Sequence, residues 1–408
     1  MKLICVDLGS PLPDLPAPET GELWILVRLH RRPLGIVKRR GRGMSAADLA
    51  NAIGTELLEP IARHLAADGL GTTWQLGDLG TAWRHCPRTR TPALRVTVAV
   101  CTRDRAAQLG TCLESLTALE YPPELLDLLV VDNAPSNERT KEVVAQYPSV
   151  RYVCEPRPGL DRARNRALAD ARGDIVAFTD DDVRVDAGWA RALAAAFEAE
   201  PDAACVTGLV VPDELDTPAQ ILFEQYGGFG RGFERRVFRV DTDGGQLTAP
   251  IYGGTGRFGT GANMAFRRAA LDHIGWFDPA LDVGTPTNGG GDLEMFFRVL
   301  KSGASLVYEP AAIVRHRHRR DYAALKTQLT NNGIGFYAYL ARTARAWPEE
   351  RAAIRRLGLW WFWRWSVRRL LRTFVAPGSF PRDLVMVELI GSLKGANRYR
   401  AARRSAAA

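Results

Sequence analysis

The chain reads as an α/β protein built on a mainly parallel, doubly wound sheet, and three observations carry that reading. Between Leu94 and Ala199, short β-branched apolar runs alternate with segments of helical periodicity. The runs are apolar nearly throughout, the pattern of strands covered on both faces. Three of them end in polar residues, at the strand ends where open α/β sheets bind their ligands.

Taken in order, strands are expected at LRVTVAVCT (94–102), LDLLVVD (126–132), VRYVC (150–154) and DIVAFTD (174–180). Helices are expected at AAQLGTCLESL (106–116), ERTKEVVAQY (138–147), DRARNRALADA (161–171) and AGWARALAAAFEA (187–199). Before this region, Glu22–His30 and Pro33–Lys38 read as a hairpin. Ser45 then starts a helix, with Asp48 three residues later in a weak capping box, running on through LANAIGTELLEPIARHL. The Gly-, Thr- and Pro-rich segment from Gly69 to Pro92 reads as a linker. The expected organisation is a small α+β unit over 1–90, a main α/β domain over 91–320 and a helical extension over 321–408. Residues 1–90 show no chemistry and read as a structural or partner-binding appendage.

Composition is that of a folded protein, with 46% hydrophobic and 25% charged residues in 408. The net charge of +8 favours anionic partners: nucleic acid, an acidic membrane or phosphorylated small molecules. Six cysteines without a CxxC pair argue against a metal finger and fit reduced residues of a cytoplasmic protein. The N-terminus lacks the apolar core of a signal peptide, and no run reaches the ~20 apolar residues of a membrane span.

The polar strand ends are Cys101-Thr102-Arg103-Asp104-Arg105, Asp132-Asn133 and Thr179-Asp180-Asp181-Asp182. Three carboxylates directly after IVAF are costly unless cations neutralise them. Hard oxygen ligands at a strand end suit Mg²⁺ or Mn²⁺ bridging a diphosphate. An acidic helix N-cap is the plainer alternative, but three in a row exceed what capping requires.

At this point the sequence resembles glycosyltransferase family 2, from about Val96 to about His318. TVAVCTRDR resembles the family's opening strand and donor-binding turn, which would place Thr102, Arg103 and Arg105 at the donor. LLVVDNAPSNERT resembles the second strand, whose Asp, here Asp132, contacts the nucleoside. GLDRARNRAL matches G-x-x-x-A-R-N and implies Arg164 and Asn165 near the donor. FTDDD matches the DxD motif: Asp180 and Asp181 would lie on the donor side, with Asp182 a direct metal ligand. GTGANMAFRRAALDHIGWFDPAL resembles the segment that shapes the donor-sugar and acceptor side, implying Asn263, Trp276 and Asp278. GGGDLEMFF resembles the G-E-D-x-(D/E) helix with Gly291 in place of the usual Glu, so Asp292 is the implied general base and Glu294 its fallback. YEPAAIVRHRH resembles the strand that presents a His to the metal, implying His316, with His318 second.

Singly these residues have ordinary explanations: Asp132 in a turn, Arg164 as a solvated helix charge, Asp292 as a helix start, His316 in a basic surface. Their common order is what points to chemistry. The resemblance implies a GT-A fold with a mixed sheet and an inverting, metal-assisted transfer from a nucleotide sugar. The expected donor is a UDP-sugar, and the acceptor a hydroxyl of a glycan, a lipid-linked molecule or a small molecule. Nucleotidyl transfer on a similar sheet, and an inactive binding protein, are the alternatives. Nucleic acid is not an expected partner, since the carboxylates would then go unexplained. Finally, Leu359–Phe374 reads as a basic, Trp-rich helix. Arg364, Arg368 and Arg372 align on it, with Trp360, Trp363, Val367, Leu370, Leu371 and Phe374 opposite. It would either lie peripherally on an anionic membrane or pack on the catalytic domain.

Overall fold

The computed structural model describes residues 2–17, 21–41, 43–70, 93–240, 242–243, 246–247, 255–376 and 380–407. Most of the predicted linker, 71–92 with Cys86, lies outside them.

The N-terminal residues form their own three-stranded sheet. Strand β1 (Lys2–Asp7), which the sequence reading did not anticipate, runs parallel to β2 (Glu22–Leu29), and β2 pairs antiparallel with β3 (Arg32–Arg40). Ser45 caps α1 (Ala46–Glu56) by accepting from the Asp48 amide at 3.1 Å. The expected single helix breaks at Leu57 and restarts as α2 (Leu58–Ala67). Pro60 has no N–H to offer the Glu56 carbonyl, so the first helix cannot continue through it. This unit docks on the central sheet of the chain through Leu26, which packs with Leu209, Val211 and Ile313. Arg28 adds an ion pair to Asp186 at 2.6 Å.

The central sheet has nine strands. Its parallel half is β4 (Val96–Thr102), β5 (Leu126–Asn133), β6 (Val150–Glu155) and β7 (Ile175–Asp180). The short β8 (Val183–Val185), then β9 (Ala203–Pro212), β10 (Arg236–Phe238), β11 (Asn263–Arg267) and β12 (Ser305–His316) make the other half. The order is β10-β12-β9-β11-β7-β4-β5-β6, with β8 paired to β12. Strand β11 is antiparallel to both β7 and β9, so the sheet is mixed. Alternation along β4 shows both faces covered: Val96, Val98 and Val100 enter one core, Ala99 and Cys101 the other.

Helices α3 (Ala106–Thr117), α4 (Arg139–Val144), α5 (Leu160–Asp170) and α6 (Trp189–Ala199) follow the parallel strands. Helix α4 is shorter than predicted: Asn137 accepts from the Arg139 amide in a turn that delays its start, and residues after Val144 leave the helix. Further along come α7 (Pro218–Tyr226), α8 (Gly291–Lys301) and the long α9 (Tyr322–Ala346). Helix α9 packs against α12 (Arg382–Ala407) at close range, because a Cβ at Gly391 would strike the Thr330 carbonyl.

Between these two helices, the predicted 359–374 helix is divided. It comprises the end of α10 (Arg351–Trp361), a wider π-type turn over Phe362–Val367, and α11 (Arg368–Val375). Trp361 packs on Phe336, and Trp365 donates to Glu388 at 3.1 Å. Leu359, Trp360, Trp363, Leu371 and Phe374 are 55–73% exposed, and Arg364, Arg368 and Arg372 face solvent with them. Among the described residues no helix is long and apolar enough to cross a membrane.

Candidate active site

The acidic triplet ends β7, beside the end of β4, because Cys101 pairs with Asp180 in the parallel register. Thr102 Oγ1 donates to Asp181 Oδ2 at 2.7 Å. Arg105, the N-cap residue of α3, donates to Asp181 and, through Nη2, to Asp182 Oδ2 at 2.7 Å. Arg319 reaches the same Asp182 oxygen at 3.2 Å. His316 arrives through the β8–β12 pairing, which sets it opposite Val183 and places its Nε2 3.3 Å from Asp182 Oδ1. The nearby His318 lies behind it: its Nδ1 is 3.1 Å from His316 Nδ1, and its Nε2 is 2.8 Å from Glu224.

Burial dominates the electrostatics. It pushes Asp180 up to about 6, aided by Asp182, and Asp181 up to about 7 against the pull of Arg105. Burial also acts on Asp182, but His316, Arg105 and Arg319 outweigh it and hold that carboxyl below its usual range. Burial drives His316 down to about 4, so its imidazole is neutral near pH 7 and keeps a lone pair for a metal. Donor atoms of Asp180, Asp182 and His316 all lie within 4.8 Å of one another. Two carboxylates and a neutral imidazole fit Mg²⁺ or Mn²⁺ at this strand end.

Next to the triplet is a cleft of about 340 Å³ lined by Asp161, Arg164, Asp180, Gly261 and Asp292, among others. Asp292, in the first turn of α8, accepts from the Gly261 amide at 2.9 Å through Oδ2. Its other oxygen is satisfied by the Leu293 amide, also at 2.9 Å. Arg164, buried on α5, approaches the same glycine, since a Cβ there would lie 2.8 Å from its Nη2. Arg164 donates to Asp161 Oδ1 at 3.0 Å. Asp161 Oδ2 has no hydrogen-bond partner and is buried. Burial, then Asp282, push Asp161 well above the usual carboxylate range, and burial takes Asp282 up to about 6.

Asp161 explains Gly291. A Cβ at 291 would collide with the Asp161 carboxylate, so no side chain fits there. Helix α5 thus brings a carboxylate against the position where the family pattern has Glu. Sequence reasoning missed Asp161, although it lies within the quoted GLDRARN segment, three residues before Arg164. It also missed Arg319, which the run RHRHRR contains, and Asp282, which carries no local signal.

At the far end of β5, Asp132 is fully buried and accepts from the Tyr152 hydroxyl at 2.9 Å. Burial raises its carboxyl above the usual range despite that bond. Arg103 is half-exposed, 3.8 Å from Asp104.

Several sequence-predicted residues do not reach the cleft. Asn263 is fully buried within the sheet: it donates to the Leu209 and Ala312 carbonyls at 3.0 and 2.8 Å and accepts from Trp189 Nε1 at 2.9 Å. Every polar atom of its side chain is thereby used, the amide nitrogen in bridging β9 and β12 and the oxygen in holding Trp189 of α6. Asn165 is likewise committed, exchanging two 2.9 Å hydrogen bonds with the Phe277 backbone. Glu294 is fully buried against Arg298 and Arg342, at 2.8 and 3.1 Å, so it is an ion-pair residue and no fallback base. Asp278 caps a 3₁₀ turn by accepting from the Ala280 amide at 2.9 Å, and Trp276 is 48% exposed outside the cleft lining.

Comparison with known proteins bears on this arrangement. Residues 97–275 match the family model for glycosyl transferase family 2. This domain belongs to glycosyltransferase family 2. Its mixed sheet, with strand ends converging on the acidic triplet, is a GT-A arrangement. The pre-mycofactocin glycosyltransferase of Mycobacterium tuberculosis is 28% identical over 236 residues, 57% of this chain and 45% of that protein. The chain therefore spans about half the length of that relative. The glucosyl-dolichyl phosphate glucuronosyltransferase of Haloferax volcanii is 26% identical over 239 residues, 55% of this chain and 69% of that protein. A solved structure of the mannosyltransferase PcManGT from Pyrobaculum calidifontis, in complex with GDP-Man and Mn²⁺, superposes with a TM-score of 0.47. That match is 20% identical and covers 85% of this chain and 94% of the other.

Two predictions follow from this geometry. Gly291→Ala should destabilise the protein by about 1–3 kcal/mol through overpacking, and the same substitution should cost much less when made in Asp161→Ala than in the unaltered protein. Urea unfolding of the single and double variants measures it, and an equal cost in both backgrounds would contradict the collision. Because Asp180 titrates at about 6, Mn²⁺ must displace its proton at lower pH. Affinity should therefore weaken by about tenfold per pH unit below that point and level off above it. Calorimetric titration with Mn²⁺ from pH 5 to 8, with Asp182→Ala as the blank, checks the sign. An affinity independent of pH would contradict it.

Proposed function

We propose that the protein is an inverting glycosyltransferase that moves a hexose from a nucleoside diphosphate, UDP by family resemblance, to a hydroxyl acceptor. The observation that carries this reading is the meeting of Asp292 and Arg164 at Gly261, in one cleft with Asp180. A base, a fixed cation and a metal-competent carboxylate thus face the same space. Asp180, Asp182 and His316 would hold Mg²⁺ or Mn²⁺, which when bound neutralises charge on the diphosphate.

The chain's own groups do the rest. Arg164 is held by Asp161 and offsets charge that grows on the leaving diphosphate, a stabilisation larger in the transition state than in the ground state. Arg105 and Arg319, now paired with the triplet, are placed to turn to phosphate oxygens. Asp132 contacts the nucleoside from the end of β5. Asp161, which lines the cleft with a carboxyl raised by burial, offers a hydrogen bond to a sugar hydroxyl. Asp292 takes the proton from the acceptor hydroxyl as it attacks the anomeric carbon, and the diphosphate leaves from the opposite face. One displacement inverts the anomeric centre, with no covalent sugar adduct.

A second observation favours a lipid-linked acceptor met at the inner face of a membrane. Exposed Leu359, Trp360, Trp363, Leu371 and Phe374 alternate with exposed arginines over 355–372. Apolar side chains of this size beside cationic ones suit the interface of an anionic leaflet.

Asp292→Asn should lower turnover by about 10²–10⁴, the usual contribution of a positioned base, while nucleotide-sugar binding persists. Steady-state kinetics beside a binding titration test this, and unchanged turnover would rule Asp292 out as the base. Trp360→Ser with Trp363→Ser and Phe374→Ser should abolish pelleting with phosphatidylglycerol vesicles that the unaltered protein shows. Equal pelleting of both forms, or none by either, would remove the membrane reading.

A further inference from the structure

The N-terminal unit, which shows no chemistry in its sequence, brings His30, His64 and Asp68 together. His30 Nδ1 lies 3.0 Å from Asp68 Oδ2 and 3.0 Å from His64 Nε2, and His64 Nε2 lies 3.2 Å from Asp68 Oδ2. Three lone-pair atoms thus form a nearly equilateral triangle. All three side chains are buried, His30 and Asp68 completely.

Among the three atoms themselves, hydrogen bonds can bridge at most two of the three edges at once. A hydrogen bond needs its proton close to the line between two atoms. If both ring nitrogens donate to the carboxylate, they sit 3.0 Å apart with no proton between them. If one donates to the other, a nitrogen–oxygen edge goes unbridged. One cation can satisfy all three lone pairs together. A tetrahedral zinc ion with bonds of ~2.0–2.1 Å sets its ligand atoms about 3.3–3.4 Å apart, close to the observed edges.

The backbone carries a second, independent sign. Strand β2 ends at Leu29 and β3 begins at Arg32, so His30 and Arg31 are a two-residue hairpin loop. Both have positive φ, 51° and 66°. Such loops favour Asn-Gly, because a larger side chain is strained there. A histidine accepts that cost at the one loop position whose side chain points to His64 and Asp68. Those two stand four residues apart, in the last turn of α2 and at its C-cap, so they share one helix face.

We propose that His30, His64 and Asp68 form a structural site for a divalent transition metal, zinc by its two-imidazole, one-carboxylate chemistry. The ion would tie the tip of the β2–β3 hairpin to the end of α2. The unit is small, and small folds commonly need such a staple. The same tip carries the contacts of Arg31 with Glu120 and of Arg32 with Glu309 on the catalytic domain. Bracing it therefore braces the docking. The site is separate from Asp180, Asp182 and His316, and its existence does not depend on the transferase reading.

The test uses the full chain without an added histidine tag. After equilibration with Zn²⁺ and desalting, zinc is counted by mass spectrometry in Asp180→Asn/Asp182→Asn, which silences the other cluster. About one zinc per chain should remain, as for a single site of defined ligand geometry, and adding His64→Ala should remove it. A zinc-free Asp180→Asn/Asp182→Asn protein overturns the proposal, as does zinc retained in full after His64→Ala. Because His64→Ala could unfold the unit, X-ray absorption at the zinc edge is also read on the protein with His64 intact. Outer-shell scattering from two imidazoles is expected, and a shell of oxygen alone overturns the proposal.

Discussion

Three consecutive carboxylates at the end of β7 set the terms for everything around them. Asp181 and Asp182 are buried, and Asp180 is partly so, in a place where each ionised carboxyl opposes the next. Isolated charges in such surroundings cost several kcal/mol apiece unless paired. The fold answers with cations from three directions: Arg105 from the turn after β4, Arg319 from beyond β12, and Arg164 from α5. A neutral His316 completes the ring. The convergence of strand ends, the β8–β12 pairing and the buried arginine on α5 can all be understood as the means of placing positive charge or metal-ligand lone pairs around that triplet.

The same constraint links the triplet to the base. Arg164 cannot serve Asp180 alone, because Asp161 holds it from the other side and Asp292 lies across Gly261. Asp161 in turn occupies the volume that a side chain at 291 would need. Loss of the glutamate of the family pattern is therefore accompanied by a carboxylate arriving from a different helix. A carboxyl group stays near the cleft while its point of attachment changes. Such an exchange leaves local motif patterns looking broken although the space is filled.

Much of this was legible in the sequence, for local reasons. The β-branched runs ending in Thr102, Asp132 and Asp180 are strands because their composition and length suit little else, and the polar residues at their ends are where such sheets carry ligands. Pro60 is there to mark the break between α1 and α2, although the periodicity alone carries one helix through it. Other features depend on contacts between distant parts of the chain. Nothing near Asn263 announces that its amide will bridge Leu209 and Ala312, or that Trp189 will claim its oxygen. Glu294 reads like a candidate base until Arg342, far along the chain, is found against it. Asp282 and the His30–His64–Asp68 triangle are invisible for the same reason: each is made by residues whose meeting only the tertiary fold decides.

The central claim is that the Asp180–Asp182 cluster supports metal-dependent use of a nucleotide sugar. Its most direct test is release of nucleoside diphosphate from a panel of nucleotide sugars, with Mn²⁺, Mg²⁺ or EDTA, by the unaltered protein and by Asp182→Ala. The account predicts that one donor is cleaved or bound in a metal-dependent way and that Asp182→Ala loses this. Absence of binding or cleavage of every donor under every metal condition, or full activity in EDTA, would contradict it.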